Sequence, residues 1–186
     1  DSSEIESKVV SSYRYTPAVK VMQRPEATAT DTATSESALL DFCRKTDSEV
    51  VVFAQATSPL TEAKYIRKGI EMVLVGYDSS VSVVRQKRFV WEIRDGKGIP
   101  CNYDPSARPR RQDFDGFLVE NGAFYVSKRS SILQSSCRVS GRTGVVEMAE
   151  DTYHEIDEPT DWIVIEELMK QRLRKNKNWS RIELLV

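Results

Sequence analysis

The chain has 186 residues, of which 40% are hydrophobic and 30% are charged, a composition that is ordinary for one globular domain with its own core. Its net charge of -1, from 27 basic and 28 acidic residues, gives no global attraction to nucleic acid or to an anionic membrane. The single histidine excludes a multi-histidine metal site, and the three cysteines show no spacing typical of a disulfide framework or a zinc site. No apolar run reaches the length of a membrane span and no signal peptide is present, so we expect a protein that is neither membrane-embedded nor secreted.

Hydrophobic patterning predicts helices and strands that alternate along most of the chain. The first half of the chain is predicted to contain a helix over 3–13, a strand over 19–22, a helix over 34–45, a strand over 49–54 and a helix over 61–75. Strands over 80–85 and 89–93 follow, and then two strands within 117–126 and a helix over 128–134. The last predicted elements are a strand over 145–148, a strand that ends at 155–157, and a helix over 159–175. The alternation predicts a layered α/β domain with a mainly parallel sheet. The unbroken apolar run within 49–54 predicts a strand buried on both faces. Asp95–Gly96 predicts a hairpin turn, Asn121–Gly122 predicts a turn between two strands, and Thr34 and Ser35 are most simply helix caps.

Three polar clusters lie at or after the ends of predicted strands, where open α/β sheets bind their ligands. The first is the loop 55–60 (QATSPL), whose amide and hydroxyl groups suit a polyhydroxylated ligand. A simpler interpretation is that this loop caps the helix predicted to begin at Thr61. The pattern alone slightly favours the cap.

The second cluster is the acidic pair Glu155 and Asp157. Residues two apart in a strand lie on the same face, and paired carboxylates at a strand end suit Mg²⁺, which takes one or two carboxylates together with substrate phosphates. The alternative is a solvated acidic edge, because Glu158 and Asp161 lie close by in the sequence. Taken alone, the pattern favours the solvated edge.

The third cluster is the run Arg-Pro-Arg-Arg at positions 108–111. Guanidinium groups bind carboxylate or phosphate through two parallel hydrogen bonds, so the run is a candidate anion site. The alternatives are a solvated charge run, partly neutralised by Asp113 and Asp115, or a nuclear-import signal. The pattern alone does not separate a surface role from a binding role.

Five motifs in one order carry a resemblance to a known family. They are 55–59 (QATSP), 76–79 (GYDS) with 81–85 (VSVVR), 107–116 (ARPRRQDFDG), 120–125 (ENGAFY) and 155–162 (EIDEPTDW). Together they resemble the CMP-sialic acid synthetases, also called N-acylneuraminate cytidylyltransferases, and 107–116 resembles the animal-type members most. The resemblance implies a three-layer nucleotide-diphospho-sugar transferase fold of the Rossmann-like type. It also implies transfer of CMP from CTP to the anomeric hydroxyl of a sialic acid, with Mg²⁺ as cofactor and pyrophosphate as the second product.

The resemblance assigns roles to residues at matching positions. Gln55 would contact the sugar, and Arg24 and Ser35 match the family's substrate-binding set. Ala33 lies where animal members have a ligand-contacting serine, so only its backbone would serve. Arg108 matches the family's proposed catalytic arginine, which would stabilise charge on phosphate or on the sugar carboxylate.

The resemblance also assigns a role to the acidic pair. Asp157 and Glu155 match the metal-binding pair, although the family usually has Asp-x-Asp and the glutamate has an arm that is one methylene longer. The motifs contain three further candidates for contact with substrate or with a partner subunit, namely Arg110, Arg111 and Asn121.

The excursion 89–125 is longer than a simple sheet needs, and long segments of this kind are often functional or interfacial. In the family that the chain resembles, this region builds the dimer and reaches toward the neighbour's sugar site. We therefore expect one domain over 1–186, assembled through 89–125 into a homodimer or a dimer of dimers, in the cytoplasm or, if the protein is animal, in the nucleus.

The family opens with a strand and a loop rich in Arg, Gly, Ser and Lys that holds the CTP phosphates, and no segment of this sequence matches that loop. The comparison predicts a domain that is incomplete on its N-terminal side and a chain that does not turn over CTP by itself. Two alternatives stay open. One is a cytidylyltransferase for a related ulosonic acid, such as Kdn, Kdo, legionaminic or pseudaminic acid, and the other is a non-catalytic fragment or homologue.

Overall fold

The structure, a computed structural model, describes residues 2–30 and 32–175. Positions 1, 31 and 176–186, which the prediction of a single domain over 1–186 includes, lie outside the described residues. Within the described part, no helix combines the length and the apolar character that crossing a lipid bilayer requires.

The described residues contain five α-helices and six strands, most of them at positions that the patterning predicts. The helices are α1 (Ser3–Ser12), α2 (Ser35–Lys45), α3 (Ala63–Leu74), α4 (Arg129–Ser135) and α5 (Pro159–Lys175). The strands are β1 (Val50–Ala54), β2 (Ser79–Gln86), β3 (Trp91–Arg94), β4 (Lys97–Pro100), β5 (Phe117–Lys128) and β6 (Thr143–Met148). Three short 3₁₀ turns occupy Glu26–Thr28, Pro105–Ala107 and Glu150–Tyr153.

Four of the strands form one sheet in the order β1-β5-β2-β6. Strand β5 is antiparallel to β1 and β2, whereas β2 and β6 are parallel, so three of the four strands run in the same direction. The predicted α/β fold with a mainly parallel sheet is therefore confirmed, although β5 runs in the opposite direction to the other three strands. Among the described strands β1 lies at an edge, where Val52 is 38% exposed, so the prediction that this strand is buried on both faces is wrong.

Helices cover both faces of this sheet and complete the three predicted layers. Helix α3 packs on one face, where Val73 belongs to the same buried cluster as Phe124 of β5. Helices α2 and α4 pack on the other face, where Leu39 and Ile132 surround Val51 of β1. The carboxyl ends of β1, β2 and β6 therefore share one edge of a sheet that is covered on both sides, which is the usual position of a ligand site in such folds.

A two-stranded hairpin, β3–β4, lies apart from the main sheet. The predicted turn at Asp95 and Gly96 is confirmed, and both residues have the positive φ angles, 50° and 73°, that a two-residue hairpin turn requires. The strand predicted over 19–22 is wrong: the segment pairs with no described strand, and Met22 is 47% exposed. Its apolar residues therefore do not contribute a strand to the core.

A partly buried ion pair joins the start of α2 to the sheet. Arg138 donates hydrogen bonds of 2.5 and 2.8 Å to the Glu36 carboxylate, and its guanidinium carbon lies 5.2 Å from the ring centroid of Phe53 and 5.0 Å from that of Tyr125. The hydrogen bond from Arg138 holds the pKa of Glu36 below its ordinary value of 4.5. Because the pKa is lowered in the folded state, the pair stabilises the fold above the ordinary pKa, and this contribution is lost as the pH falls through the lowered one.

We expect the Glu36→Gln variant to lower the free energy of unfolding by about 1–2 kcal/mol at neutral pH, because a charge-assisted hydrogen bond is lost. The difference from wild type should shrink as the pH falls below the ordinary pKa of Glu36. Urea unfolding at several pH values measures both effects. The matched control is Asp41→Asn, which breaks an exposed pair with Lys45 on the same helix and should cost less than about 0.5 kcal/mol. Equal losses in the two variants, or a difference that acid leaves unchanged, would contradict the prediction.

Candidate active site

The carboxyl end of β1 brings the first predicted cluster against β5. Gln55 directly follows β1, and its backbone N–H donates to the carbonyl of Ala123 at 3.0 Å, which extends the pairing of the two strands. A Cβ atom placed on Gly122 would lie 4.0 Å from Gln55 Nε2 and 3.1 Å from Glu155 Oε2. Gln55 and Glu155, which the sequence places in two separate clusters, therefore face the same short stretch of β5.

An irregularity in β5 shapes the space between these side chains. Where the register of the pair shifts, β2 advances two residues while β5 advances five, from 125 to 120. Gly122 lies within this irregularity and has a φ of +65°, in the left-handed region that favours glycine. The prediction that Asn121–Gly122 is a turn between two strands is wrong, because the dipeptide lies inside one long strand. The positive φ that glycine accepts serves a bulge as well as it serves a hairpin turn.

The acidic pair lies in a loop. Residues 154–158 follow the 3₁₀ turn Glu150–Tyr153 and form no strand, so the predicted strand that ends at 155–157 is wrong. Two alternating acids are too short a pattern to separate a strand from a loop. The N–H of Ile156 donates to the carbonyl of Thr57 at 2.8 Å, which fastens the acidic loop to the loop that follows β1.

Negative charge is crowded around Glu155. Partial burial raises the pKa of its carboxyl group, and the nearby charges of Asp157 and Asp161 raise it further. Asp161 accepts hydrogen bonds from the N–H groups of Glu158, at 2.8 Å, and Asp157, at 3.0 Å, and these bonds lower its pKa. Asp161 thus holds the turn that leads into α5, whereas the carboxylates of Glu155 and Asp157 accept no hydrogen bond from the described residues.

Each of these two carboxylates has the chemistry to bind a magnesium ion whose remaining ligands come from a substrate. No group of three or more His, Cys, Asp or Glu side chains that would hold a metal ion occurs in the described ranges 2–30 and 32–175. Mg²⁺ does not need such a group, because it typically takes one or two carboxylates, several waters and phosphate oxygens. A bound cation would also reduce the repulsion between the negative charges crowded around Glu155.

Asn121 is buried beside the site, with 2% of its surface exposed. Its Nδ2 donates to the carbonyl of Thr152 at 3.0 Å and lies 3.3 Å from Thr152 Oγ1 and 3.5 Å from Met148 Sδ. Its Oδ1 has no hydrogen-bond partner in the described part of the chain. The side chain that the sequence suggests as a substrate or partner contact is thus directed at the turn that precedes Glu155.

The arginine-rich segment lies on the excursion. The guanidinium carbon of Arg108 lies 4.5 Å from the ring centroid of Phe89 and 5.7 Å from that of Tyr103. Phe89 itself packs against Tyr103 and Phe114, with ring centroids 4.3 and 5.0 Å apart. In the described structure Arg108 therefore makes its contacts with this aromatic cluster and makes none with Gln55 or the acidic pair of the same chain.

The other two arginines of the run have different surroundings. Arg110 forms an exposed ion pair with Asp113 at 2.6 Å. Arg111 borders a cleft of about 280 Å³ together with Arg85, whose guanidinium donates two hydrogen bonds of 2.8 Å to Glu147. Of the three arginines, only Arg108 is held over aromatic rings of the described residues, and this stacking leaves the edges of its guanidinium group able to bind an anion.

The remaining predicted substrate residues, Arg24, Ala33 and Ser35, lie in or next to the segment between α1 and α2. Ser35 is the exposed first residue of α2, and Thr34 caps that helix through a side-chain hydrogen bond. Arg24 is exposed and borders a groove along α1. Within the described residues, no hydrogen bond joins Ala33 or Ser35 to Gln55 or to the acidic pair.

Sequence reasoning missed the residues that support the acidic loop. The N–H of Ala149 donates to the hydroxyl of Tyr65 at 3.2 Å, and the Thr152 hydroxyl donates to the Ala149 carbonyl at 2.7 Å. Tyr65 thereby ties α3 to the turn that precedes Glu155. Its only signal in the sequence is a residue with a polar tip next to the apolar face of an amphipathic helix.

The fold is that of known cytidylyltransferases. The chain is similar to a solved 4-diphosphocytidyl-2C-methyl-D-erythritol synthase, with a TM-score of 0.60 and 12% identity over 89% of this chain and 75% of that one. It is also similar to 2-C-methyl-D-erythritol 4-phosphate cytidylyltransferase from Thermus thermophilus, with a TM-score of 0.57 and 13% identity over 89% of both chains. At these identities the likeness shows the fold alone, and it confirms the predicted nucleotide-diphospho-sugar transferase fold.

Sequence similarity points to a narrower group. The chain is 36% identical over 154 residues to N-acylneuraminate cytidylyltransferase A of Danio rerio and 34% identical to N-acylneuraminate cytidylyltransferase of Oncorhynchus mykiss, in each case over 80% of this chain. It spans 36% and 35% of the length of these two proteins. A protein of the same name from Streptococcus agalactiae is 29% identical over 148 residues. No protein-family model matches the chain. The chain is thus a homologue of the N-acylneuraminate cytidylyltransferases over most of its own length, and the predicted resemblance, including that to animal members, is confirmed.

Proposed function

We propose that the protein transfers CMP from CTP to the anomeric hydroxyl of a sialic acid and releases pyrophosphate. The observation that carries this proposal is the convergence of the Gln55 amide, the Gly122 bulge and the Glu155 carboxylate at the edge of a cytidylyltransferase fold. These residues come from three of the five motifs that carry the resemblance to the N-acylneuraminate cytidylyltransferases.

The proposed chemistry rests on positioning and on neutralising charge, because a phosphoryl-type transition state spreads negative charge over oxygens. The Gln55 amide hydrogen-bonds the sugar and orients its anomeric hydroxyl toward the α-phosphate of CTP. Glu155 and Asp157 would hold Mg²⁺, which when bound supplies positive charge to the triphosphate. The guanidinium group of Arg108 stabilises charge on the phosphate or on the sugar carboxylate.

We propose a homodimer in which the excursion of one protomer reaches the site of its partner. Trp91 and Ile93 lie on the same face of the β3–β4 hairpin and are 54% and 83% exposed. A two-stranded hairpin is marginally stable by itself, and exposed apolar side chains of this size are typical of an interface. Arg108 lies on the same excursion and contacts aromatic residues there, which supports a role across the interface.

A second role for the arginine run is nuclear import. Arg110 is largely exposed and Arg111 is also exposed, so both are accessible to a transport receptor. Import and catalysis are compatible, because the arginine proposed for catalysis is Arg108 and not Arg110 or Arg111. Location in the nucleus or the cytoplasm stays a prediction.

The experiment that tests the proposed function is a pyrophosphate-release assay on the full-length gene product with CTP, Mg²⁺ and a panel of nonulosonic acids. We expect release that depends on the sugar, with N-acetylneuraminic acid among the best substrates and a CMP-sugar as product. Reactions without sugar are the control. Preference for Kdo or another ulosonic acid would establish the alternative enzyme, and no release with any sugar would favour a non-catalytic homologue.

A further inference from the structure

We propose that Asn121 is a positioning residue that, together with Gly122, sets the location of Glu155. The inference rests on the proposed function in one respect, the role of Glu155 as a metal ligand. It differs from the sequence-based suggestion that Asn121 touches substrate or a partner.

The acidic loop is fastened on both sides of Glu155. On the N-terminal side, Asn121 Nδ2 donates to the carbonyl of Thr152, three residues before the glutamate, at 3.0 Å. On the C-terminal side, the Ile156 N–H donates to the Thr57 carbonyl at 2.8 Å. The first anchor belongs to β5 and the second to the loop after β1, so the position of Glu155 is determined by two neighbouring strands of the sheet.

Gly122 complements the anchor by leaving room for the carboxylate. A Cβ atom at this position would lie 3.1 Å from Glu155 Oε2, closer than nine in ten real contacts of such an atom, so the carboxylate would have to shift. The φ of +65° adds strain for any other residue. The two adjacent residues therefore act on the same carboxylate, one by holding its loop and the other by making space beside it.

Stability alone does not account for an amide at this place. Asn121 and Thr152 are each 2% exposed, and the Oδ1 atom of Asn121 has no hydrogen-bond partner among the described residues. A buried acceptor without a partner opposes folding. The Nδ2 atom, by contrast, makes the bond that orients the turn before Glu155, and the precise placement of metal ligands commonly depends on such outer contacts.

The test compares Asn121→Ala with a matched variant, Ser80→Ala, in the full-length protein. Ser80 is fully buried in the same sheet, and its hydroxyl donates to the Gly69 carbonyl at 3.1 Å. The Ser80→Ala variant therefore also removes one buried hydrogen bond, but this bond is made to α3 and not to the acidic loop. The readouts are hydrogen exchange of the peptide 152–157, thermal unfolding, and the affinity for Mn²⁺ in the presence of CTP, measured by electron paramagnetic resonance.

We expect both variants to lose thermal stability, but only Asn121→Ala to accelerate exchange at 152–157 and to weaken Mn²⁺ binding, by about 10-fold or more. Gly122→Ala keeps the anchor and should weaken Mn²⁺ binding without the same acceleration of exchange. Equal Mn²⁺ affinities in Asn121→Ala and Ser80→Ala, or unchanged exchange at 152–157, would overturn the inference. If the variants differ in this way but the wild-type protein transfers no CMP to any sugar, the proposed function is contradicted and the positioning role of Asn121 stays supported.

Discussion

The Asp157→Asn variant of the full-length protein is expected to transfer CMP at least about 100-fold more slowly than wild type, because a metal ion at the phosphates is worth several kcal/mol of transition-state stabilisation. Asparagine keeps the size of the side chain and removes its charge, so the loss would report the charge itself. Raising the Mg²⁺ concentration should recover part of the rate if the variant binds the metal weakly. The measurement is the rate of pyrophosphate release as a function of Mg²⁺ concentration.

The matched control for this prediction is Glu158→Gln. It removes one negative charge from the same loop, but the Glu158 side chain is exposed and takes part in no hydrogen bond among the described residues. We expect its rate to stay within about threefold of wild type, since an exposed charge near a site acts weakly through solvent. Equal losses in the two variants would show that general acidity of the loop, and not a specific ligand, supports the reaction.

The Arg108→Met variant is expected to lose about 100- to 1,000-fold in kcat/KM, the range found when a group that stabilises transition-state charge is removed. Arg108→Lys should recover only part of this loss, because an ammonium group keeps the charge but not the planar fork. Activity in a cell-free assay measures the effect, and a large loss there would contradict a role in nuclear import alone.

Arg110→Met is the control for Arg108. The side chain of Arg110 is 74% exposed and its partner Asp113 is 49% exposed, so the variant should stay within about threefold of wild-type activity. Unchanged activity in Arg108→Met would remove the residue from the proposed catalytic set. Similar losses in the two variants would indicate that the run acts through its total charge and not through a single positioned guanidinium group.

Local signals predicted the parts of the fold that local physics determines. Helix α2 begins next to its Thr34 cap, and Asp95–Gly96 forms the hairpin turn, because capping and positive φ depend on a few adjacent residues. The reversed direction of β5 and the edge position of β1 were not predictable in this way. Both depend on which distant strands pair, and an apolar run has the same composition in the centre of a sheet and at its edge.

The residues of the candidate site were predictable from the sequence, but their arrangement in space was not. Gln55 and Glu155 stood out as polar groups in separate motifs, yet their proximity depends on the bulge at Gly122, which the sequence presents as an ordinary turn. Asn121 stood out as a contact candidate because it lies in one of the motifs that carry the resemblance, whereas tertiary packing buries it against Thr152. Pairing between strands, which no single segment encodes, decides both outcomes.

The measurement that tests the central claim most directly is the activity of a heterodimer in which one protomer carries Arg108→Met and the other carries Asp157→Asn. If each site combines the acidic loop of one protomer with Arg108 of its partner, one of the two sites in the heterodimer is intact, and it should recover about half of the wild-type rate. Each homodimeric variant alone should remain nearly inactive. A purified heterodimer as inactive as the two parents would contradict a site shared between protomers.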